Sequence, residues 1–448
     1  MKKITLQGAT ETFKKKFKKS GELCERGSKW IPGGYSRHSL TFGPHAIYVD
    51  HGEGKYIYTV DGHRLIDFHN NFSCSVLGHN HPKVREALHA LVDRSFSFGN
   101  PMEHEHRLAE IICERIESVE KVIFSCSASE SCLSAIRIAR ANTGKNKIAK
   151  FEGGYHGMGD EFMISLHPYP YFFRGPAEQP IGWPNTAGIP SHVLQNVVIL
   201  PQNDLKNCER ILKDNAKDLA GVIIELMTSA GGGIVMEKEF VKGLREITEE
   251  LGILLIIDET VTLRTDYHGM QAGYGIKPDL TVMGKVIGGG LPIGAVGGQE
   301  KYFRMHETGK IYHSGTHHGH PLATAAGIAC MEVMDEATCN RINKMGDRLA
   351  DELNKWSTAK NYPLCVIGRG GHLGYELTDK PGRRYRSCRD MLSYSNEEGM
   401  AIIAFEMANR GIFPMYRGLI ALSEPMNDGD IDLFINTAKE IIEGIFAE

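Results

Sequence analysis

The chain has 448 residues, of which 42% are hydrophobic and 24% are charged, and its formal net charge at pH 7 is −4. These values suit a soluble globular protein of two domains, and they give no reason to expect nucleic acid or an anionic membrane as a partner. No apolar run approaches the ~18 residues that a membrane span needs, and the N-terminus lacks the apolar core of a secretory signal, so we expect a cytoplasmic protein.

The N-terminal region combines a helix with a small sheet. Alternating charges in residues 8–28 predict a helix, in which the basic run 14–19 is a solvated face. From residue 46, apolar runs alternate with the turns HGEGK and VDGH, which predicts a β-meander.

Helices and short apolar strands alternate after the meander. Helices are predicted over 83–94, 106–116 and 129–142, and strands by KVIFS, KIAKF, VVIL, GVIIEL and ILLIID. This alternation predicts an α/β fold with a mainly parallel sheet that is covered by helices on both faces. Residues 165–193 break the pattern with proline, glycine and aromatic residues, and we expect them to form part of an active-site wall.

The strongest chemical signal is a pair of residues at predicted strand ends. The apolar strand 253–257 ends in Asp258, and Lys285 follows in the string DLTVMGKVIGGGLPIGAVGG. Pyridoxal phosphate needs both groups, because a lysine amine holds it as a Schiff base and an acid keeps its pyridine nitrogen protonated. Either residue alone would suit a strand-end carboxylate or a surface lysine, but the pair predicts a pyridoxal-phosphate site.

Further motifs occur in the order found in a known family. DETVT, GK followed by GGGLPIGA, FSCSASES, FEGGYHGMGD and HSGTHHGHPLA resemble the motifs of the class III aminotransferases, which are fold-type I pyridoxal-phosphate enzymes. The resemblance implies a large cofactor-binding domain with a mainly parallel seven-stranded sheet and a smaller α+β domain. We expect residues 66–320 to form the large domain, and residues 1–65 and 321–448 to form the small one.

The resemblance also implies a phosphate site. Ser127, Ala128 and Ser129 would cradle the cofactor phosphate at a helix N-terminus, where backbone N–H groups and the helix dipole favour an anion. These serines could equally cap the helix, and the two roles are compatible. The family usually has glycine where Ala128 stands and threonine at Ser129.

Other residues of the motifs would surround the cofactor ring. The resemblance implies that Tyr155 stacks on the ring, that His156 supports the same turn, and that Tyr155 acts with Lys285 and Asp258 as a catalytic residue. Thr260 replaces a valine that usually meets the other ring face.

Two more matches concern the substrate and the assembly. Glu225 matches a glutamate that the family keeps near the substrate. Thr316 resembles a threonine that reaches the phosphate of the neighbouring subunit, which implies a homodimer with shared active sites.

Three arginines could anchor the carboxylates of an amino donor and a keto acceptor, since the planar guanidinium matches a carboxylate. They are Arg37 in PGGYSRHS, Arg264 in DETVTLR and Arg417 in MYRGLIALSEP. The block order is similar to that of glutamate-1-semialdehyde aminomutases, but the arginine motifs look more like those of β-amino-acid transaminases, which act on compounds such as β-phenylalanine with 2-oxoglutarate. An aminomutase, an epimerase, a carboxylate-free amine transaminase and a non-catalytic binding protein stay open as alternatives.

No metal site is expected. The ten cysteines include no CxxC pair, so they predict free thiols in a reducing compartment. The histidine strings HNHP (79–82) and HHGHP (317–321) lie at proline-marked turns without a carboxylate at ligand spacing.

Overall fold

A computed structural model describes residues 3–40, 43–166, 173–415 and 418–447. The chain forms two compact units: the small unit comprises Met1–His81, Ile342–Arg384 and Tyr394–Glu448, and the large unit comprises Pro82–Arg341 and Tyr385–Ser393. The units begin and end at residues other than the domain bounds expected from the sequence. Those expected domain bounds stay a prediction.

Strands and helices alternate through most of the described residues. The strands are β1 (Val49–Glu53), β2 (Tyr56–Thr59), β3 (Arg64–Asp67), β4 (Lys121–Ser125), β5 (Lys147–Phe151), β6 (Val197–Leu200), β7 (Leu219–Ile224), β8 (Leu254–Asp258), β9 (Leu280–Gly284), β10 (Gly294–Gly298), β11 (Leu364–Arg369), β12 (His372–Leu377), β13 (Ile412–Phe413) and β14 (Leu419–Ala421). The α-helices are α1 (Leu6–Lys16), α2 (Lys18–Gly27), α3 (Asn70–Ser73), α4 (Pro82–Val92), α5 (Glu103–Arg115), α6 (Ala128–Thr143), α7 (Ser191–Gln195), α8 (Leu205–Asn215), α9 (Lys238–Glu250), α10 (Arg304–Glu307), α11 (Pro321–Val333), α12 (Glu336–Lys360), α13 (Cys388–Tyr394), α14 (Glu397–Asn409) and α15 (Asp428–Ile445). Over this described part of the chain, no helix is both long and apolar enough to span a membrane.

The large unit is built around a seven-stranded sheet in the order β4-β10-β9-β8-β7-β5-β6. β10 runs antiparallel to both of its neighbours, and the other pairings are parallel. Side chains alternate between the two faces: Ile256 of β8 packs in the cluster that contains α6, while Leu255 and Ile257 pack in the cluster that contains α8 and α9. The predicted mainly parallel sheet with helices on both faces is therefore confirmed.

The small unit contains the predicted meander. β1, β2 and β3 pair antiparallel, and β13 adds to β3 in parallel. The N-terminal helix predicted over 8–28 is two helices, α1 and α2, which meet at Phe17. The backbone leaves the helical region there (φ −109°, ψ 44°), and the Phe17 ring is buried against Phe13.

The proline-rich segment 165–193 is irregular where it is described. Residues 173–190 form turns and an isolated bridge between Ile164 and Pro184 before α7 begins. Residues 167–172 lie outside the described residues, and the role of this segment as an active-site wall stays a prediction.

Candidate active site

The carboxyl ends of four strands meet along one edge of the seven-stranded sheet. Asp258 at the end of β8 lies beside Val282 of β9, and Gly294 of β10 lies between Gly284 and Ser125. Because parallel strands end at the same edge, the residues that follow them lie near one another. They are Ser127 after β4, Glu225 after β7, Asp258 itself and Lys285 after β9.

Asp258 is a buried carboxylate that is held in its charged form. Its side chain is 4% exposed; His156 Nδ1 lies 2.9 Å from Oδ2, and the Thr260 N–H donates to Oδ1 at 3.0 Å. Burial alone would raise the pKa of Asp258, but the hydrogen bond and charge of His156 and the Thr260 N–H lower it below its usual value. This edge of the sheet therefore presents a fixed negative charge.

Replacing His156 tests this electrostatic arrangement. We expect His156→Phe to raise the pKa of Asp258, since the aromatic ring fills the space but donates no hydrogen bond. The acid limb of the pH profile for kcat/KM should then move to higher pH by about one unit. His156→Asn, whose amide can donate from nearly the position of Nδ1, should restore most of the wild-type profile. Unchanged acid limbs in both variants would contradict this role for His156.

Glu225 fixes the turn that carries Tyr155. Its Oε2 accepts from the Tyr155 N–H at 2.8 Å, and its Oε1 accepts from the Ser229 N–H at 3.0 Å and the Ser229 hydroxyl at 2.7 Å. Burial raises the pKa of Glu225, and the charge of Asp258 adds to this effect while His156 opposes it. The backbone of the half-buried Tyr155 is thereby held at the sheet edge, and the charges of Glu225 and Asp258 act on its hydroxyl.

Lys285 has an unusual backbone conformation. It begins a short 3-10 helix, Lys285–Gly288, with φ 50°, a left-handed value that is costly for a residue other than glycine. Small residues let this turn pack closely on α11: a Cβ at Gly327 would lie 2.0 Å from the Ile287 carbonyl oxygen, and one at Gly289 would lie 2.3 Å from that of Ala326. The packing holds the half-buried lysine at the sheet edge.

The N-terminus of α6 forms a small-residue cradle. Ser127 caps the helix, and its Oγ accepts from the Glu130 N–H at 3.3 Å. A Cβ at Gly157 would lie 2.2 Å from Ser129 Oγ, so the turn after Tyr155 packs directly on the helix start. Ala128, which replaces a glycine of the family motif, has its Cβ 3.0 Å from the position of a Cβ at Gly284, so a larger residue at position 284 would be in tight contact with Ala128.

These features fit pyridoxal phosphate. The edge offers an amine at Lys285, a charged carboxylate at Asp258 and the N-terminus of a 16-residue helix with serine hydroxyls for a phosphate. Within the described residues, His156 Nε2 is buried and has no hydrogen-bond partner. Such an orphaned polar atom is characteristic of a site that is completed by a ligand.

The remaining predicted residues lie in different parts of the structure and differ in their exposure. Arg37 is exposed on the small unit; its Nη1 donates to Asn71 Oδ1 at 2.6 Å, and its guanidinium lies 5.6 Å from the Phe72 ring centroid. Arg264 is 2% exposed, and its charge acts on the Cys339 thiol. Thr316 is exposed on the large unit. Arg417 lies outside the described residues.

Two polar contacts of the site were not predicted from the sequence. Cys132 Sγ donates to Asp258 Oδ2 at 3.5 Å, and Ser229 binds Glu225 as described above. Helical spacing could have suggested the first, because Cys132 lies three residues after Ser129 and therefore on the same face of α6. Burial raises the pKa of Cys132 well above its ordinary value, and the charge of Asp258 raises it further.

Comparison with known proteins gives a consistent picture. The aminotransferase class-III family matches residues 40–418. A protein named glutamate-1-semialdehyde 2,1-aminomutase 2 from Geobacillus kaustophilus is 36% identical over 95% of this chain and 98% of its own length. An omega-transaminase from Sphaerobacter thermophilus superposes with a TM-score of 0.90, at 34% identity, over 95% of this chain and 97% of its own. A β-phenylalanine aminotransferase from Variovorax paradoxus gives a TM-score of 0.88 at 29% identity over 98% and 97% of the two chains.

The match to the family and the geometry of the sheet edge support the same conclusion. The motifs that resembled this family in the sequence come together at the carboxyl edge of the large sheet, and the predicted fold class is confirmed. The chain belongs to the class-III aminotransferase family, the fold-type I enzymes that use pyridoxal phosphate.

Proposed function

We propose that the protein transfers an amino group from a β-amino acid to a keto acid such as 2-oxoglutarate. The observation that carries amino transfer is the buried, charged Asp258 at the same sheet edge as Lys285. Support for the substrate class comes from the arginine motifs and from the likeness to the β-phenylalanine aminotransferase.

Each residue of the sheet edge has a part in this chemistry. When bound, the cofactor supplies an electron sink for the charge that develops on the substrate carbon. Lys285 Nζ would hold the cofactor and would be the base that takes the proton from the amino-bearing carbon of the substrate. Asp258 would supply the negative charge that keeps the pyridine nitrogen protonated, and the N–H groups at the start of α6, with Ser127 and Ser129, would hold the phosphate.

Glu225, Tyr155 and Thr260 complete the proposed cofactor site. Glu225 holds the backbone turn that carries Tyr155 through the hydrogen bond to its N–H. Thr260 offers a β-branched side chain with a buried hydroxyl oxygen. Stacking of Tyr155 on one cofactor face and contact of Thr260 with the other stay predictions.

The proposed carboxylate anchors are Arg37 and Arg417. Arg37 is exposed, and it is supported by Asn71 and Phe72 in α3, where four consecutive non-glycine residues have φ between 46° and 69°. Left-handed residues in such a run persist only where the surroundings demand them, often at functional sites. The buried Arg264 has less access to a substrate than Arg37, and its predicted role in substrate binding is the least supported of the three.

Replacing Arg37 should separate substrates by their carboxylates. We expect Arg37→Gln to lower kcat/KM for a β-amino acid by about 10- to 100-fold, the effect of one charged hydrogen bond. Turnover of a matched amine without a carboxylate should change little. Arg26→Gln, an exposed arginine in α2, is the control and should leave both substrates unaffected. Equal losses on both substrates would argue against Arg37 as a carboxylate anchor.

A second candidate function is that of an aminomutase. It is favoured by the 36% identity to the protein named glutamate-1-semialdehyde 2,1-aminomutase 2. An aminomutase moves the amino group within one molecule and needs no separate keto acceptor, and an epimerase likewise releases no keto product. The likeness to the omega-transaminase keeps a carboxylate-free amine donor as a further possibility.

Product analysis with and without a keto acceptor distinguishes these functions. The protein is incubated with β-phenylalanine, with glutamate-1-semialdehyde or with a simple aromatic amine, each in the presence and absence of 2-oxoglutarate. The proposal requires that the β-amino acid is consumed only with 2-oxoglutarate, and that glutamate accumulates in equal amount. Conversion of glutamate-1-semialdehyde without an acceptor would replace the proposal with the aminomutase function.

The proposed assembly is a homodimer with shared active sites, in which Thr316 reaches the phosphate site of the partner subunit. Thr316 is exposed, as a residue that serves another chain must be before assembly. We expect light scattering to give the mass of two chains of 49.7 kDa each. Thr316→Ala should retain this mass but release its cofactor faster on dilution, and a monomeric wild-type protein would contradict the proposed sharing.

A further inference from the structure

Three potential metal ligands meet near the start of α6. Cys126 precedes the helix cap, Glu130 lies in the first turn of α6, and His318 belongs to the histidine-rich string 317–321. One ligand atom from each lies within 4.8 Å of the other two, and His318 Nε2 is 3.6 Å from Glu130 Oε2. All three residues belong to the large unit.

Local hydrogen bonds hold these ligands in place and leave them accessible. The Cys126 N–H donates to Glu130 Oε2 at 2.7 Å, and the His318 N–H donates to the Gly315 carbonyl at 3.1 Å. Among the described residues His318 Nδ1 has no hydrogen-bond partner, and the imidazole ring lies against that of His313, with ring centroids 4.6 Å apart. The Glu130 side chain is 47% exposed, which gives an ion a path from solvent.

The donor set matches zinc chemistry. A thiolate, an imidazole and a carboxylate suit Zn²⁺ and chemically similar divalent ions, with bonds of about 2.0–2.3 Å. Ligands around such a tetrahedral ion are about 3.3–3.8 Å apart, by geometry from those bond lengths, so the three atoms need to close by only a small movement. Three protein ligands leave the fourth position for water.

We propose that Cys126, Glu130 and His318 form a binding site for Zn²⁺ or a similar divalent transition-metal ion. The sequence argues against metal at the string HHGHP because no carboxylate stands at ligand spacing. The fold supplies that carboxylate from Glu130, far away in the chain. The neighbouring group of Cys132, His156 and Asp258 also brings three ligand types within 4.8 Å. Its thiol and imidazole, however, already direct hydrogen bonds to the one carboxylate.

Zinc binding to the holoenzyme tests the site without reference to activity. The protein is loaded with pyridoxal phosphate, stripped of metal and dialysed against buffered Zn²⁺, and bound zinc is counted by mass spectrometry. Zinc K-edge X-ray absorption should then show one sulfur neighbour at about 2.3 Å and nitrogen or oxygen neighbours at about 2.0 Å. No bound zinc, or bound zinc without a sulfur neighbour, would overturn the proposal.

Single substitutions assign the ligands. Cys126→Ser and His318→Ala should each weaken Zn²⁺ binding by more than about 100-fold, since even the loss of an outer partner costs about 10- to 100-fold. Cys113→Ser, at another partly exposed cysteine, is the matched control and should bind zinc as the wild type does. If Cys132→Ser abolishes the sulfur neighbour and Cys126→Ser does not, the ion lies at the buried cluster and the proposal is wrong.

Discussion

Replacing Lys285 with alanine is expected to lower kcat for amino transfer by at least about 10³-fold, because the variant loses both the covalent attachment of the cofactor and the base that moves the proton. The measurement is the steady-state rate with saturating amino donor and 2-oxoglutarate. The purified variant should also lack the visible absorption band of lysine-bound cofactor, even when it is incubated with excess pyridoxal phosphate.

A matched control distinguishes this role from a general effect of charge. Lys310 is an exposed lysine of the same unit, and Lys310→Ala should keep both the rate and the band. The Lys285 variant should unfold at nearly the wild-type temperature when both proteins are free of cofactor. A Lys285→Ala protein with a near wild-type rate would refute the assignment.

Removing the charge of Asp258 should have the second largest effect. We expect Asp258→Asn to lower kcat by about 10²- to 10³-fold, as is typical when one preorganised electrostatic partner is lost from a buried site. The amide keeps the shape of the carboxylate but cannot stabilise a protonated pyridine nitrogen. Single-turnover conversion of the bound cofactor by the amino donor isolates this step from substrate binding.

The Asp258→Asn variant needs a control of its own, because the Asp258 carboxylate also accepts hydrogen bonds that support the fold. Asp266, in the segment after β8, accepts from the His268 N–H at 3.0 Å, and asparagine can do the same. Asp266→Asn should therefore turn over at nearly the wild-type rate. If Asp258→Asn were as active as this control, the ionised state of Asp258 would have no part in the reaction.

Much of the large sheet could be predicted because its strands are continuous apolar runs. KVIFS and KIAKF are β4 and β5 with the predicted bounds. β7, by contrast, ends at Ile224, two residues before the end of GVIIEL. Leu226 and Met227 do not continue the pairing with β8 but pair with residues 234–236. Because this tertiary contact ends β7, the apolar run alone could not predict where the strand stops.

The residues of the site likewise fall into those that the sequence predicts and those that depend on tertiary packing. Asp258 and Lys285 could be predicted because the chemistry of one cofactor requires both types of residue at strand ends. Helical spacing places Cys132 on the face of α6 that carries Ser129. Its contact with Asp258, and the approach of His318 to Glu130, depend on how distant segments pack. The burial of Arg264 is of the same kind: in the sequence it looks equivalent to Arg37, but the fold encloses it.

Among the described lysines, Lys150 is the one that a labelling test should compare with Lys285, because its amine is buried in the same unit. Burial lowers the pKa of Lys150 to about 7. Its Nζ donates to the Ile164 carbonyl at 2.7 Å, inside the large unit. Any test of the central claim should therefore distinguish these two lysines directly.

Reduction of the holoenzyme with borohydride, followed by peptide mapping, distinguishes Lys285 from Lys150 most directly. The reagent fixes the cofactor permanently on the amine that holds it, and mass spectrometry then locates the added mass. We predict that the mass is found on the peptide that contains Lys285 and is absent from that residue's alanine variant. Labelling of Lys150 or of another lysine in the wild-type protein would contradict the account.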